Sequence, residues 1–320
     1  NVGSLVSFRY VGEGKGLPKV TPFPQTLSEV GVFADLFLLK PGEDFTEFKM
    51  NSPVWLPGVK QKSWMKIPNG KKIKFSEKEE WAFPEGSIIV HHFDTIAGVR
   101  HETHVYWARG DGRFRAAAYR WNDEQSDVQL VKSSTVVQLP QNKSINWFSP
   151  GPERMVDAKL ALIGFVPQFN TRQLNHGNQL LDWSQRSILN KRIDNADLAT
   201  LPRLVSLDDV SASIDLKVRS YLDANCAVCH QPGGPSRGNF DLRFATDLVD
   251  QNLINAEPMA GNMDVDSARI LIPGEPGKSI LYLRAARSDF FRMPPVSVHG
   301  AISPVLPLME EWIREMKGNN

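Results

Sequence analysis

Cysteine is almost missing from this chain: among 320 residues there are two, Cys226 and Cys229. One pair of thiols a short turn apart cannot build the disulfide framework of a small secreted scaffold. A structural zinc site would want two more Cys or His at close spacing to the pair, and no second C-x-x-C exists. A thioredoxin-like redox pair would need a βαβ context, which is absent around it. Charge imbalance is also missing. A net charge of +1 offers no field for nucleic acid or for an acidic membrane surface. No apolar run approaches the roughly 20 residues of a membrane span. Asn1 to Lys19 is Gly-rich and lacks the apolar core of a signal peptide. What remains, 41% hydrophobic and 23% charged residues, is the balance of an ordinary globular chain, long enough for two domains with a core each.

Both cysteines fall in one stretch, Asn225-Cys226-Ala227-Val228-Cys229-His230. This is C-x-x-C-H, the attachment sequence for a c-type haem. The chemistry requires that spacing. Two thiols one turn apart add to the two vinyl groups of one porphyrin, and the next residue, His230, becomes the proximal ligand of the iron. Covalent haem is fitted outside the cytoplasm, so the expected location is the periplasm, with the signal peptide not present in this chain.

From Phe23 to about residue 169 the chain reads as β-rich. Gly86 to Phe93, His101 to Trp107 and Arg113 to Trp121 carry β-branched and aromatic residues. Turn signals at Asn69-Gly70, Pro84-Glu85-Gly86 and Arg109-Gly110-Asp111-Gly112 separate them. Asp127 to Val131 and Thr135 to Leu139 read as a later hairpin. Such spacing predicts a sandwich or jelly-roll-like domain, with Trp55, Trp64, Trp81, Trp107, Trp121 and Trp147 as core. Leu174, Leu181 and Ile188 then recur at heptad spacing, predicting a helical connector that Gly177 interrupts. Asn190 to Asp209 reads as linker. The C-terminal part offers three helices: one with Ile214, Val218, Tyr221 and Leu222 on one face, one from Ser279, and one capped by Ser303, with Pro304 in the first turn and Gly318 as stop. A helix before the haem motif and a terminal helix across it predict an all-α cytochrome c domain. The expected class is therefore α+β with two domains: lead 1–22, β-rich domain 23–169, connector and linker 170–210, cytochrome c domain 211–320.

A second axial ligand is expected from methionine, which also raises the potential. Met309 and Met316 fall on the apolar face of the last helix, and Met259 and Met263 in a loop suited to gap filling. Met293, in Arg292-Met293-Pro294-Pro295, is presented by a backbone that two prolines stiffen, and it is the preferred ligand. His299 is the rival.

The chain also resembles a family of bacterial extracytoplasmic c-type cytochromes, many with two haems, that join a β-rich N-terminal domain to a C-terminal cytochrome c module. The resemblance rests on Phe23-Pro24-Gln25-Thr26-Leu27-Ser28, Tyr119-Arg120-Trp121-Asn122-Asp123-Glu124, Asn170-Thr171-Arg172-Gln173-Leu174-Asn175 and Gly238-Asn239-Phe240-Asp241-Leu242-Arg243. Pro273-Gly274, Ser279 to Arg284 and the Met293-Pro294-Pro295 turn extend it. It implies haem roles for Cys226, Cys229, His230 and Met293, and haem-propionate contacts for Arg237 and Arg243. Di-haem members carry another C-x-x-C-H before the Asn-Thr-Arg-Gln-Leu-Asn segment. Here Gly151 to Lys159 has no cysteine, so one covalent haem c is expected.

Four of the seven histidines, His91, His92, His101 and His104, lie close together in the β-rich part. Paired strands would let one from each meet, with His92 and His104 the candidate ligands of a second metal, copper, iron or zinc; the other reading is half-exposed strand residues that hold no metal. All four converge only with a bulge. Asp123, Glu124 and Asp127 read as a polar turn, with a Ca²⁺ site as the other reading. The function expected from the sequence is mono-haem electron transfer with a partner protein or small donor or acceptor. The alternatives are an oxidoreductase with a second site near His92/His104, peroxidase-like chemistry at the haem, and a binding module with structural or sensing haem.

Overall fold

The computed structural model describes residues 22–110, 112–140, 142–155, 169–294 and 303–316. Asn1 to Lys19, residues 156–159 of the cysteine-free stretch, Pro295, His299 and Gly318 lie outside them. The strands are β1 (Phe33–Asp35), β2 (Lys40–Pro41), β3 (Thr46–Glu47), β4 (Val59–Lys66), β5 (Ile88–Thr95), β6 (Arg100–Ala108), β7 (Phe114–Trp121), β8 (Val128–Leu130), β9 (Thr135–Leu139) and β10 (Asn142–Ser149). Strands β3 to β8 form one antiparallel sheet in chain order, while β1–β2 and β9–β10 are separate two-stranded hairpins.

Positive-φ glycines make the meander turns. Gly110, with φ near +78°, closes the β6–β7 connection, and a left-handed backbone of this kind costs glycine nothing. Side chains alternate across the sheet, so the two faces are distinct. Met65, Ile89, Tyr106, Ala116 and Ala118 belong to a cluster with Trp81, Phe169, Leu174, Leu180 and Trp183. Trp64, Val90, Val105, Ala117, Tyr119 and Trp121 face the other way, against Leu27, Val32 and Phe45. Both faces are covered, which is why β5 and β6 are buried along nearly their whole length and show little polar alternation.

The helices are short: α1 (Leu27–Val30), α2 (Pro152–Met155), α3 (Thr171–Leu174), α4 (Gln179–Gln185), α5 (Asn195–Thr200), α6 (Ile214–Asn225), α7 (Ile280–Ala285) and α8 (Leu306–Glu315). Gly177, at φ +52°, separates α3 from α4. In the stretch read as linker, Asp194 and Asp197 form a capping box that starts α5. Ser213 caps α6 by accepting the Leu216 N–H, a contact of about 1 kcal/mol.

The expected fold class is corrected here. Among the described residues no distinct all-α cytochrome c domain forms, and the molecule is mainly β. Between Cys226 and the short 3₁₀ turn Pro276–Lys278 the chain runs through turns and isolated bridges. Prolines, glycines and left-handed Asn252, Asn255, Met263, Asp264 and Ser267 replace the apolar period that a helix needs. Helices α6 and α8 still share a cluster built on Val218, Leu222, Met309, Trp312 and Ile313, but its other members, Leu242, Leu253, Ile270 and Leu271, come from these loops. Nor is this part detached from the sheet. Trp55 packs on the same cluster and donates its backbone N–H to Asn225 Oδ1 at 2.7 Å. Buried Arg172 donates to buried Asp223 at 2.8 Å.

The N-terminal part also departs from a sandwich or jelly roll, since one six-stranded sheet carries two small hairpins rather than facing a second full sheet. Strand β8 pairs with β7, and β9 with β10, so the expected hairpin of 127–131 with 135–139 does not form. At the C-terminal helix, Val305 takes the cap position and Pro307 lies in the first turn. Ser303 instead meets the Tyr221 hydroxyl at 2.8 Å.

Candidate functional site

Helix α6 delivers the cysteine motif. Cys226 closes it, donating its N–H to Leu222 O, and the Cys229 and His230 N–H groups turn back onto Cys226 O at 3.1 and 2.9 Å. The loop beyond folds tightly on the motif. A Cβ at Gly234 would lie 2.3 Å from Cys229 O, so only glycine fits this approach. Both thiols are free. Burial, with Cys229 beside it, pushes the Cys226 thiol up to about 12, and burial also raises Cys229. They stand as protonated thiols at neutral pH.

His230 is pinned on one nitrogen. Its Nδ1 lies 2.8 Å from Ser236 Oγ, and its ring stacks on Phe240 with centroids 4.4 Å apart and planes 11° from parallel. Burial, then the Arg284 charge, lowers it to about 4, so the imidazole is neutral. Nε2 has no hydrogen-bond partner among the described residues. A neutral imidazole with one nitrogen anchored and the other free is the form that binds a metal. Two free thiols at the attachment spacing stand beside it, so this donor set fits a covalent haem.

Met293 follows a turn built by Arg287 and Asp289, and its N–H donates to Arg284 O at 2.9 Å. The Arg284 guanidinium donates to Ala260 O at 2.9 Å and Phe291 O at 3.3 Å. One arginine thus anchors the Met293 turn, holds the Met259-Ala260 loop and acts electrostatically on His230; the sequence carries it in the Ser279 to Arg284 stretch without indicating this role. Met309 is core, as its helical period implies, whereas Met259 is 69% exposed. Arg243 does not stand ready for a propionate. Its guanidinium is committed to Asp241, at 2.7 to 3.0 Å. Arg237 is exposed and makes no ion pair among the described residues.

The histidines of β5 and β6 separate by register. His91 lies opposite His104, and His92 opposite Thr103, so His92 and His104 point to opposite faces. The expected metal pair does not converge. His92 Nδ1 meets Thr103 Oγ1 at 2.8 Å, and its Nε2–H donates to Asp94 at 2.9 Å. Burial raises the Asp94 carboxyl, but His92 and Lys62 outweigh it and hold it at about 2.

The required bulge is present. The register slips between Phe93 and Asp94, leaving His101 unpaired, with its ring edge-on to Trp147 at 5.1 Å. Trp147 also packs on Phe93, so His101 joins His91, Glu102, His104 and Tyr106 on one face. Glu102 is fully buried. It accepts from His104 Nε2 at 2.6 Å, from Trp147 Nε1 at 3.2 Å and from Ser149 Oγ. Burial works against its ionisation, yet these bonds hold it below the usual carboxylate range. His91 Nδ1 takes Gln61 and Ser63 at 2.9 and 2.7 Å. Among the described residues, no group of three or more His, Cys, Asp or Glu side chains is arranged to hold a metal ion. The cluster is a hydrogen-bonded polar layer under the β9–β10 hairpin. In the acidic stretch, Asp127 accepts from Ser28 Oγ and from the Val128 N–H, as a polar turn does.

Searches of family models, of curated proteins and of solved structures find no match to this chain. Among the described residues no helix is long and apolar enough to cross a membrane.

Proposed function

We propose that the chain is a mono-haem c-type cytochrome, carrying single electrons in the periplasm between a donor and an acceptor. Cys226 and Cys229 would tether the haem, and His230 Nε2 and Met293 would hold its iron. When bound, the haem supplies the one-electron iron couple. The protein's part is to hold the ligands and restrict solvent. The observation that carries the reading is the C-x-x-C-H turn, with both thiols free and His230 held at Nδ1 alone. Arg284 supports Met293, because the residue whose charge acts on His230 also anchors the Met293 turn. Arg237 is the remaining arginine for a propionate.

Covalent attachment is the test. The full chain, expressed with a haem c maturation system, should keep its haem through denaturation. Replacing both thiols, C226S with C229S, should abolish that retention. Haem that washes out of the denatured wild-type chain contradicts the reading.

A further inference from the structure

We infer that Ser236 and Phe240 are positioning residues for His230, fixing its ring in two independent directions and setting its strength as a ligand; the inference rests on the haem reading above. Ser236 acts in the plane of the imidazole, through the 2.8 Å contact between its Oγ and Nδ1. Phe240 acts across that plane, by near-parallel stacking at 4.4 Å. Two restraints at right angles leave the ring neither tilt nor rotation.

The loop is shaped around both contacts. A Cβ on Gly238 would lie 2.4 Å from Phe240 Cε1 and 2.9 Å from Cδ1, so the bare glycine makes room for the stacked ring. The Gly238 N–H donates to Ser236 Oγ at 3.0 Å, and Leu242 N–H donates to His230 O at 2.9 Å. Residues 236 to 242 thus wrap the histidine from the side of Nδ1 and from one ring face.

The character of the hydroxyl sets the direction of the effect. With Nε2 given to iron, Nδ1 must carry the proton and donate it to Ser236 Oγ. That oxygen already accepts a backbone N–H, and it is neutral. It therefore draws less on the imidazole N–H than a carboxylate would, and leaves the ring a weaker donor to the metal. A weaker donor favours the reduced iron, so Ser236 sets the potential above the value a carboxylate acceptor would give and below that of a ring with no acceptor.

The test uses the full haem-loaded chain, read by midpoint potential and by the ferric electron paramagnetic resonance spectrum. S236D, which supplies a carboxylate acceptor, should shift the potential to more negative values, while S236T, which keeps the hydroxyl, should match wild type. F240L and G238A, which remove or displace the stacked ring, should broaden or shift the ferric signals. If S236D does not accumulate, S236A is read in its place, and its potential should rise. An unchanged potential in S236D, or in S236A where it is read instead, overturns the role of Ser236, and unchanged spectra in F240L and G238A overturn that of Phe240. A wild-type chain without covalent haem overturns the inference together with the reading beneath it.

Discussion

His230 shows how far single residues could be read. The role proposed for it follows from the two cysteines before it, because haem attachment is the chemistry that spacing signals. Its partners do not follow. Ser236 and Phe240 reach it through a loop whose path depends on Gly234 and Gly238, and no periodicity encodes such a path. Nor does the partner of Arg243 follow: a loop bend gives its guanidinium to Asp241, two residues away. Met293 was chosen for stiffness and ligand type, and its turn is fastened to Arg284. Replacing it, M293A, should remove any Met-to-iron absorption band. It should also lower the midpoint potential by a sizeable part of the roughly 0.8 V range that axial ligands span. M263A should leave both unchanged. Equal behaviour of the two variants, checked by redox titration, would move the sixth ligand elsewhere.

At the scale of elements, β5 and β6 were visible as strands, but their facing was not. A slip of one residue reverses every side chain, and both faces of this sheet are buried, so no polar alternation marks the inward side. The bulge at His101 escaped for the same reason. What these strands bury has a consequence in acid. Burial, then the His104 charge, lowers His91 from 6.5 to about 3, and burial lowers His101 to about 4. Groups with depressed folded values bind more protons when unfolded. Their contribution is therefore complete above pH 6.5 and drains away as pH falls toward the folded values. At about 1.4 kcal/mol per pKa unit, His91 alone should cost several kcal/mol across that window, with Asp94 and Glu102 adding to the loss at lower pH. Urea unfolding of the full chain at stepped pH should show stability falling from pH 6.5 downward, and H91Q should flatten the slope. Stability unchanged between pH 6.5 and 4 would remove these histidines from the account.

Across the whole molecule, the sequence separated a β-rich N-terminal part from a C-terminal part with three short helices, and those helices are present. The architecture built on them was wrong. Helices of 12, 6 and 10 residues, joined by long turn-rich connections, do not make a helical domain. Their shared core is completed by loop residues and by Trp55 from the β-rich part. Propensity and caps mark where helices begin, but they do not say how much irregular chain a core will recruit. The functional proposal rests on the motif and its surroundings, not on that fold. The most direct measurement is the iron content of the haem-matured full chain, with its oxidised and reduced optical spectra. The account predicts one iron per chain, all of it as low-spin covalent haem c. A chain with no iron, a second metal, or high-spin five-coordinate haem would contradict it.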